Sequence, residues 1–449
     1  MRRFLVLMSL ALASFIRPAN AANVRPNIVF MLADDLGWAD VGFHGGNVPT
    51  PHLDRLAREG LELTQHYSAA TCSPTRAALM SGRYWSRFGI KGPENRRAFN
   101  WDTITLPRAL KTVGYETALT GKWHLGSKPE WGPNHFGFDH SYGSLAGGVG
   151  PYDHQYKKGQ YAITWHRNEK LISEVGHVTD LIMREAVQWI GERTDRPFFL
   201  YVPFTAVHLP LKEPQAWLDR VPATITGDVP RQYAACIMHL DAAVGQIVAA
   251  LAKVGKRDNT LLVFTSDNGA TGDPNHLEPY LKDGYAEGRI PGNNLPWRGR
   301  KAQLYEGGIR TPAVVSWPAR LAAGRRDGTM HIIDWMPTLT AVAGYSPPRD
   351  LKWDGINVWP VIAGEKPMPS DRLLYWTQGA SRAVRHGDLK LTVHLPRNST
   401  GAPLIELFDL ARDPHETTDL APSRAADVKA MQAKLELVAR ADGDAAVKE

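Results

Sequence analysis

The chain has only two cysteines among its 449 residues, Cys72 and Cys236. A disulfide framework is therefore excluded, and at most one bridge can form. Cys236 lies in Y-A-A-C-I-M-H-L-D-A-A-V-G, where apolar residues recur at helical spacing, so we interpret it as a packed core thiol. Cys72 instead has polar neighbours, in A-A-T-C-S-P-T-R, and that setting needs a different explanation.

A strong excess of charge is also lacking. The formal net charge is +6, and Arg2, Arg3 and Arg17 near the N-terminus supply three of these positive charges. The remaining charge of +3 is too small to indicate a nucleic-acid partner. After residue 21 we identify no apolar run long enough for a membrane span and no internal repeat, so we expect no stable membrane insertion.

The N-terminus has the composition of an export signal. A short basic end is followed by an apolar run too brief to span a bilayer and then by Ala19-Asn20-Ala21. The alternative, a buried first helix of the mature fold, fits less well because the run has no polar face. We predict a signal peptide over residues 1–21 and an exported protein, periplasmic or secreted. The Arg2-Arg3 pair leaves the Sec and twin-arginine routes both open.

Two apolar runs are typical of buried parallel strands. They are N-I-V-F-M-L-A at 27–33 and T-L-L-V-F-T-S at 260–266, and strand-like and helix-like stretches alternate between them. This pattern predicts an α/β fold with a large, mostly parallel sheet flanked by helices.

The pattern of predicted secondary structure changes after residue 345. A proline-rich connection, S-P-P-R-D, precedes two short strand-like pieces and an amphipathic helix near 425–440. The strand-like pieces are R-A-V-R-H-G-D-L-K-L-T-V at 382–393 and P-L-I-E-L-F-D-L at 403–410. We therefore predict a main domain over 22–345 and a smaller C-terminal α+β domain over 346–449.

Polar side chains follow each of the two buried runs directly, with Asp34-Asp35 after the first and Asp267-Asn268 after the second. Ligands gather at the carboxyl ends of parallel strands, so these side chains are expected to meet. An all-oxygen set suits Ca²⁺ or Mg²⁺ rather than zinc. The alternative is that each pair only caps the turn that follows it. The matching placement after two buried strands favours the metal.

The residues around Cys72 predict a turn entering a helix, with Pro74 at an early helical position and Arg76 in the first turn. A cysteine just ahead of a helix N-terminus and near an arginine has its anionic form favoured. That environment is typical of a nucleophile or an anion-binding group. A core thiol is the alternative, which the polar, proline-fixed setting disfavours.

Further basic groups occur in suggestive settings. Lys122 and His124 lie in T-G-K-W-H-L-G, His208 follows a strand-like stretch in F-T-A-V-H-L-P, and Lys301 lies in W-R-G-R-K-A-Q-L-Y-E-G-G. Beside a metal and an anion site, such groups would bind a tetrahedral oxyanion and supply protons. Taken singly, each is better explained as a surface lysine or a hydrogen-bonded histidine, and spacing alone does not select them.

The stretch C-S-P-T-R followed by A-A-L-M-S-G-R resembles the type I sulfatase signature of the alkaline phosphatase superfamily. In that family the cysteine of C-x-P-x-R is oxidised to Cα-formylglycine by a separate maturation system. Further similar blocks follow in the family's order: L-A-D-D-L-G-W, T-G-K-W-H-L-G, S-D-N-G, Y-E-G-G-I-R-T-P, D-G-I-N-V-W-P and E-L-F-D-L-A-R-D-P-H-E. The resemblance covers nearly the whole mature chain, with cysteine rather than serine as the residue to be converted. It implies that 22–345 is a sulfatase catalytic domain.

The resemblance also implies a divalent cation, usually Ca²⁺, beside the formylglycine. The metal ligands it implies are Asp34, Asp35, Asp267, Asn268 and the converted Cys72. The hydrated aldehyde of residue 72 would attack sulfur, and the resulting hemiacetal sulfate would collapse by internal elimination.

The same resemblance assigns roles to the remaining basic residues. Arg76 and Lys122 match groups that stabilise the aldehyde hydrate. His208 and Lys301 match groups that contact the sulfate and assist the leaving oxygen, and His124 matches the base that regenerates the aldehyde. The expected activity is hydrolysis of sulfate monoesters with release of inorganic sulfate.

The substrate is less closely defined. Two stretches, D-V-G-F-H-G-G-N-V-P-T-P-H-L-D and Y-G-S-L-A-G-G-V-G-P-Y-D-H, look similar to arylsulfatase B-like and N-acetylgalactosamine-sulfatase-like members. This similarity implies a small sulfate ester or a sulfated saccharide as substrate. The alternatives are a phosphate or phosphonate monoester hydrolase of the same superfamily and a catalytically silent carbohydrate-binding relative. A zinc phosphodiesterase or phosphatase should place more histidines beside the carboxylates.

Overall fold

The computed structural model describes residues 25–193, 195–275, 284–395 and 401–447. The predicted signal peptide lies outside these ranges. Sixteen strands and ten α-helices are found within them.

The strands, in chain order, are β1 Asn27–Ala33, β2 Leu61–Leu63, β3 His66–Tyr67, β4 Glu116–Lys122, β5 His140–Ser144, β6 Trp165–Arg167, β7 Lys170–Leu171, β8 Phe198–Pro203, β9 Thr260–Ser266, β10 Ala313–Ser316, β11 Gly324–Arg326, β12 Met330–His331, β13 Leu373–Gln378, β14 Ser381–His386, β15 Leu389–His394 and β16 Leu404–Asp409. The helices are α1 Pro51–Glu59, α2 Cys72–Ser81, α3 Leu106–Thr112, α4 Val178–Gly191, α5 Gln215–Leu218, α6 Asp228–Lys253, α7 Glu306–Ile309, α8 Trp335–Val342, α9 Trp359–Ile362 and α10 Ala425–Ala439.

Ten strands form the large sheet, in the order β11-β2-β10-β9-β1-β8-β4-β5-β6-β7. The two predicted strands, β1 and β9, are neighbours and run parallel, with Asn27 opposite Thr260 and Ala33 opposite Ser266. The centre of the sheet, from β9 to β5, is parallel, whereas β10, β6 and β7 pair antiparallel with their neighbours. The predicted α/β fold with a mostly parallel sheet is therefore confirmed.

Both faces of the sheet are covered by helices. Alternate side chains of a strand point to opposite faces, so Phe30 and Met31 of β1 enter two different cores. The core around Phe30 contains buried residues of α2, α3 and α8, and the core around Met31 contains residues of α1, α4 and α6. All seven residues of β1 are buried, which explains why its sequence is apolar from Ile28 to Ala33.

We predicted that no segment after residue 21 is long and apolar enough to span a membrane, and helix α6 is an exception. By length and composition alone it is long and apolar enough to do so. Within the fold, however, 61% of its most apolar window is buried, and it contributes residues such as Leu240 and Val244 to the core. Its apolar character therefore serves packing against the sheet. Cys236 lies in this helix and is buried, as predicted for a core thiol.

The C-terminal part contains a four-stranded antiparallel sheet in the order β13-β14-β15-β16, with α10 packed on β14 and β15. The strand pieces predicted around β14 to β16 and the closing helix are confirmed, whereas β13 was not predicted. Tyr375 of β13 and Leu435 of α10 belong to the same core as Phe30 of the large sheet. The boundary at residue 345 stays a prediction, because one core runs across it.

Candidate active site

The four metal-ligand candidates meet at the ends of β1 and β9. The amide of Asn268 donates to Asp35 Oδ1 at 2.8 Å, and the backbone N–H of Asp35 donates to Asp267 Oδ1 at 3.2 Å. Because β1 and β9 are adjacent and parallel, their last residues lie side by side, and the polar residues that follow face the same space. Asp35 has a φ of 64°, a left-handed conformation that is rare outside glycine and is typical of constrained functional positions.

Cys72 begins helix α2, as its sequence setting predicted, and its side chain reaches the same cluster. Its Sγ lies 3.5 Å from Asp34 Oδ1, and only 1% of the residue is exposed. Thr75, one turn along the helix, donates its hydroxyl to the Asp267 carbonyl at 2.6 Å. This bond ties α2 to the end of β9 and thereby fixes the position of Cys72 relative to the carboxylates.

The expectation that the thiolate of Cys72 is favoured was wrong. Burial raises the pKa of the Cys72 thiol, and this effect exceeds the opposing charges of Lys122 and Lys301. The helix N-terminus and the nearby cations do not compensate for removing the sulfur from water. In the buried site the residue is therefore a neutral thiol before any modification.

Three cations each pair with one of the three carboxylates. Lys122 Nζ lies 2.5 Å from Asp34, Lys301 Nζ lies 2.7 Å from Asp35, and Arg76 lies 2.8 Å from Asp267. The atoms involved are Asp34 Oδ2, Asp35 Oδ2, Arg76 Nη2 and Asp267 Oδ2. The formal charges of these six groups cancel. A divalent cation added to them would leave a net charge of +2, which favours an anionic ester.

The two predicted histidines lie at the same site in different settings. His208 Nε2 is 3.8 Å from Asp35 Oδ2, and His208 Nδ1 is hydrogen-bonded to the carbonyl oxygen of Leu209. His124 is buried, has a φ of 54°, and its Nδ1 has no hydrogen-bond partner. Gly147 packs directly against this ring, because a Cβ atom at Gly147 would lie 2.3 Å from His124 Nε2.

Burial and neighbouring charges shift the pKa values of two aspartates and two histidines at the site in different directions. Burial alone would raise the pKa of Asp35, but Lys301 and His208 hold it well below its usual range. Burial and the charge of Asp34 raise the pKa of Asp267 to about 6. Burial and the charge of Lys301 lower the pKa of His208 to about 3, and burial and Lys122 lower that of His124 well below its usual value. Both imidazole rings are therefore neutral at neutral pH.

The donor set fits a hard divalent cation. Ligand atoms of Asp34, Asp35, Cys72 and Asp267 all lie within 4.8 Å of one another. Asn268 Oδ1 is buried without a hydrogen-bond partner, although its amide nitrogen is bonded to Asp35. Buried polar atoms are normally satisfied, and a bound cation would satisfy an oxygen that has no donor beside three carboxylates. Carboxylate and amide oxygens are the ligands that Ca²⁺ and Mg²⁺ prefer.

The structure also adds residues that the sequence did not identify. Gly147 belongs to the stretch S-L-A-G-G, where it allows His124 to approach the backbone. Gln378 of the C-terminal sheet accepts a hydrogen bond from the hydroxyl of Thr71, immediately before Cys72. The sequence shows the glycine pair in this stretch, but the role of Gly147 becomes evident only when the position of the His124 ring is known. No local signal connects Thr71 with a residue more than three hundred positions away.

Comparison with known families agrees with this geometry. The family model described as Sulfatase matches residues 26–345, and the model described as N-sulphoglucosamine sulphohydrolase, C-terminal, matches residues 299–441. The chain belongs to the sulfatase family and is a sulfuric ester hydrolase by membership. The matched ranges contain every predicted metal-ligand and catalytic position.

Two curated relatives show how far the similarity extends. Arylsulfatase J of Mus musculus is 30% identical over 92% of this chain and 76% of its own length. N-acetylgalactosamine-6-sulfatase of Canis lupus familiaris is 32% identical over 89% of this chain and 82% of its own length. The similarity therefore spans both the large sheet and the C-terminal part.

Solved structures confirm the fold. The structure of Ps i-CgsB in complex with k-i-k-neocarrahexaose superposes with a TM-score of 0.83, at 30% identity, and covers 95% of each chain. The PsFucS1 sulfatase from Pseudoalteromonas sp. gives a TM-score of 0.76 at 26% identity, covering 95% of this chain and 92% of that one. The chain thus has the sulfatase fold over nearly its whole length.

Proposed function

We propose that this sulfatase hydrolyses a sulfate ester of a carbohydrate, using Ca²⁺ and a Cα-formylglycine made from Cys72. The observation that carries the proposal is the position of Cys72 Sγ, 3.5 Å from Asp34 Oδ1, inside a ring of three carboxylates and three cations. A buried thiol with a raised pKa is a poor nucleophile, so an unmodified cysteine does not explain this placement. Conversion to an aldehyde, whose hydrate supplies a hydroxyl nucleophile, does explain it.

The cation would be held by oxygens of Asp34, Asp35, Asp267 and Asn268, together with residue 72. When bound, Ca²⁺ would add positive charge to the site and stabilise negative charge on the sulfate. The unpartnered Asn268 Oδ1 supports its inclusion among the ligands. Mg²⁺ is the alternative ion with the same ligand preference.

The chain's own cations would bind and orient the ester. The ammonium group of Lys122 pairs with Asp34 and that of Lys301 pairs with Asp35, so both ammonium groups lie in the site. Arg76 is fully buried and also donates to the Lys122 carbonyl at 2.8 Å, which fixes both residues. Charge that spreads over the transferring group is stabilised most by such preorganised donors, because they need no reorganisation during the reaction.

Hydrogen bonding separates the proton-transfer roles. His208 Nδ1 donates to the Leu209 carbonyl, so in the neutral ring Nε2 presents a lone pair to the site. Lys301 carries protons at Nζ and therefore suits protonation of the leaving oxygen. His208 Nε2 lies 3.8 Å from Asp35 Oδ2, the same oxygen that pairs with Lys301. His124 Nδ1 has no partner and is available to accept a proton.

A carbohydrate ester is supported by the names of the relatives. N-acetylgalactosamine-6-sulfatase is named for a sulfated sugar, and the Ps i-CgsB structure holds an oligosaccharide. We infer that this chain also acts on a sulfated saccharide, with aryl sulfates as surrogate substrates. We further propose export through the signal peptide at 1–21, and conversion of Cys72 by a formylglycine-generating system of the host.

The deciding experiment is the mass of the peptide that carries residue 72, from protein isolated from its own host. The proposal expects the mass of formylglycine in place of the thiol. Cys72→Ala should then abolish sulfate release, whereas Cys236→Ala, the other buried cysteine, should preserve it. An unmodified thiol in folded, active protein would refute the mechanism.

Two further measurements test the metal and the ester. Removal of divalent ions should abolish activity, and added Ca²⁺ should restore it. A panel of sulfated sugars, aryl sulfates and matched phosphate esters should give the highest kcat/KM for a sulfated sugar. Faster turnover of the matched phosphate would establish the phosphate or phosphonate hydrolase instead, and no turnover of any ester by converted protein would favour the silent binding relative.

A further inference from the structure

Strand β13 of the C-terminal sheet is hydrogen-bonded to the segments before and after the helix that begins with Cys72. The indole Nε1 of Trp376 donates to the Ser68 carbonyl at 2.9 Å, and Gln378 accepts from the Thr71 hydroxyl at 3.0 Å. Beyond the other end of α2, the indole of Trp85 donates to the Thr377 carbonyl at 3.1 Å. Three consecutive residues of one strand are therefore bonded to the segments that flank α2.

Thr71 occupies the N-cap position of α2 but makes no side-chain capping bond. A threonine at this position usually turns its oxygen to the first N–H groups of the helix. Here Pro74 removes one of these N–H groups, and the Thr71 hydroxyl is donated to Gln378 instead. Gln378 thus determines where the side chain next to Cys72 points.

The contact between Gln378 and Thr71 matters for the active site because the backbone around Thr71 also supports the loop that carries Lys301. Ala302 N–H donates to the Ala70 carbonyl at 2.8 Å, so the loop that carries Lys301 lies against the same segment, 68–71. A shift of Thr71 would therefore change the position of Cys72 relative to Lys301 and Asp34. Small displacements of a reacting group are costly, because its alignment with the substrate is part of the rate enhancement.

We propose that Gln378 is a positioning residue for residue 72, acting through Thr71, so that the C-terminal sheet sets the geometry of the nucleophile. This inference rests on the proposed function. Trp376 lies fully buried beneath the same segment, whereas Gln378 is only partly buried at the end of its strand. Truncation of Gln378 should therefore disturb the alignment of the site without removing a core side chain.

The test is the comparison of Gln378→Ala and Gln378→Glu with the wild type, using protein whose conversion at residue 72 has been quantified by mass. Gln378→Ala should lower kcat by about 2- to 10-fold, because residue 72 is then less well aligned with the substrate. KM and the thermal unfolding midpoint should stay close to wild type. Gln378→Glu keeps an acceptor for Thr71 and should recover most of kcat.

A matched control is Gln188→Ala, which removes an exposed glutamine that makes one side-chain hydrogen bond on α4. It should leave kcat unchanged. Thr71→Val should reproduce Gln378→Ala, and the double variant should lose no more than either single variant, because both act through one bond. Wild-type kcat in Gln378→Ala, or equal losses in the Ala and Glu variants, would overturn the inference. Absence of formylglycine or activity in the wild type would instead refute the proposed function.

Discussion

Lys390 Nζ lies 2.9 Å from Glu306 Oε1, and both side chains are completely buried. Lys390 belongs to β15 of the C-terminal sheet, whereas Glu306 begins α7, five residues after Lys301. Glu416 lies 2.8 Å from the same ammonium, and the hydroxyl of Tyr67 donates to Glu306 at 2.6 Å. A buried ionic network close to the Lys301 loop therefore joins the C-terminal sheet to α7 and β3.

Replacing Lys390 by methionine should strongly destabilise the protein. The substitution keeps much of the side-chain volume but removes the buried ammonium that Glu306 and Glu416 share, which leaves Glu306 only the guanidinium of Arg310 at 3.6 Å. Removal of one partner from a buried ion pair costs about 3 to 5 kcal/mol, because the remaining charge is not compensated. The free energy of unfolding by urea measures this loss.

Two further variants serve as a control and as a partial rescue for that prediction. Lys366→Met changes an exposed lysine and should shift stability by less than about 0.5 kcal/mol. Adding Glu306→Gln to Lys390→Met should recover part of the loss, since one uncompensated charge is then removed. A Lys390→Met protein as stable as the Lys366→Met control would contradict a structural role for the network.

Gly147→Ala should reduce activity while leaving the fold intact. A Cβ at this position would lie 2.3 Å from His124 Nε2, so the imidazole must move. Displacement of a proton-transfer group by about an ångström lowers kcat on the order of 100-fold. Gly191→Ala is a matched control, because a Cβ there meets nothing within 4 Å. Equal kcat values in the two variants would show that His124 tolerates displacement or has no part in the reaction.

Burial of Cys72 predicts when it can be modified. The residue is 1% exposed and all ten residues of α2 are buried, so no enzyme can reach the thiol in the folded chain. Incubation of the folded protein with a formylglycine-generating enzyme should give no conversion, whereas the unfolded chain should be a substrate. Conversion of native protein at a comparable rate would contradict this order of events.

The sequence was informative wherever the signal was local. The runs that became β1 and β9 are mostly apolar because both of their faces are covered, and polar pairs follow each run directly. Adjacency of the two strands then brings Asp35 and Asn268 together. The positions of Cys72 and of the basic residues were expected from a family resemblance, and the structure brings them to the same place.

Other features depend on contacts between distant parts of the chain. β13 was missed because Leu373–Gln378 is a short run whose burial comes from packing on the segment before Cys72. The pKa of the Cys72 thiol is raised because α2 is completely buried. The polar residues around Cys72 in the sequence did not indicate this burial. Helix α6 is similar in composition to a membrane span, and only its packing against the sheet distinguishes the two.

His239 predicts a pH dependence of stability that is separate from the active site. Its Nδ1 lies 2.8 Å from Glu213 Oε2 and its Nε2 lies 3.0 Å from Asp180 Oδ1. Burial alone would lower the pKa of His239, but the hydrogen bonds and charges of Asp180 and Glu213 raise it to about 9, from an ordinary value of 6.5. The folded state therefore holds this proton more tightly than the unfolded chain does.

The stabilisation from His239 should be complete below pH 6.5 and should disappear as the pH rises to about 9. A shift of this size corresponds to about 3 kcal/mol. The free energy of unfolding should be measured for the wild type and for His239→Gln at intervals from pH 6 to pH 9.5, with calcium held constant. The glutamine does not titrate, so the advantage of the wild type should shrink by up to that amount across the range. Parallel curves for the two proteins would mean that the ring is neutral in the folded state and that its carboxylate partners do not hold a proton on it.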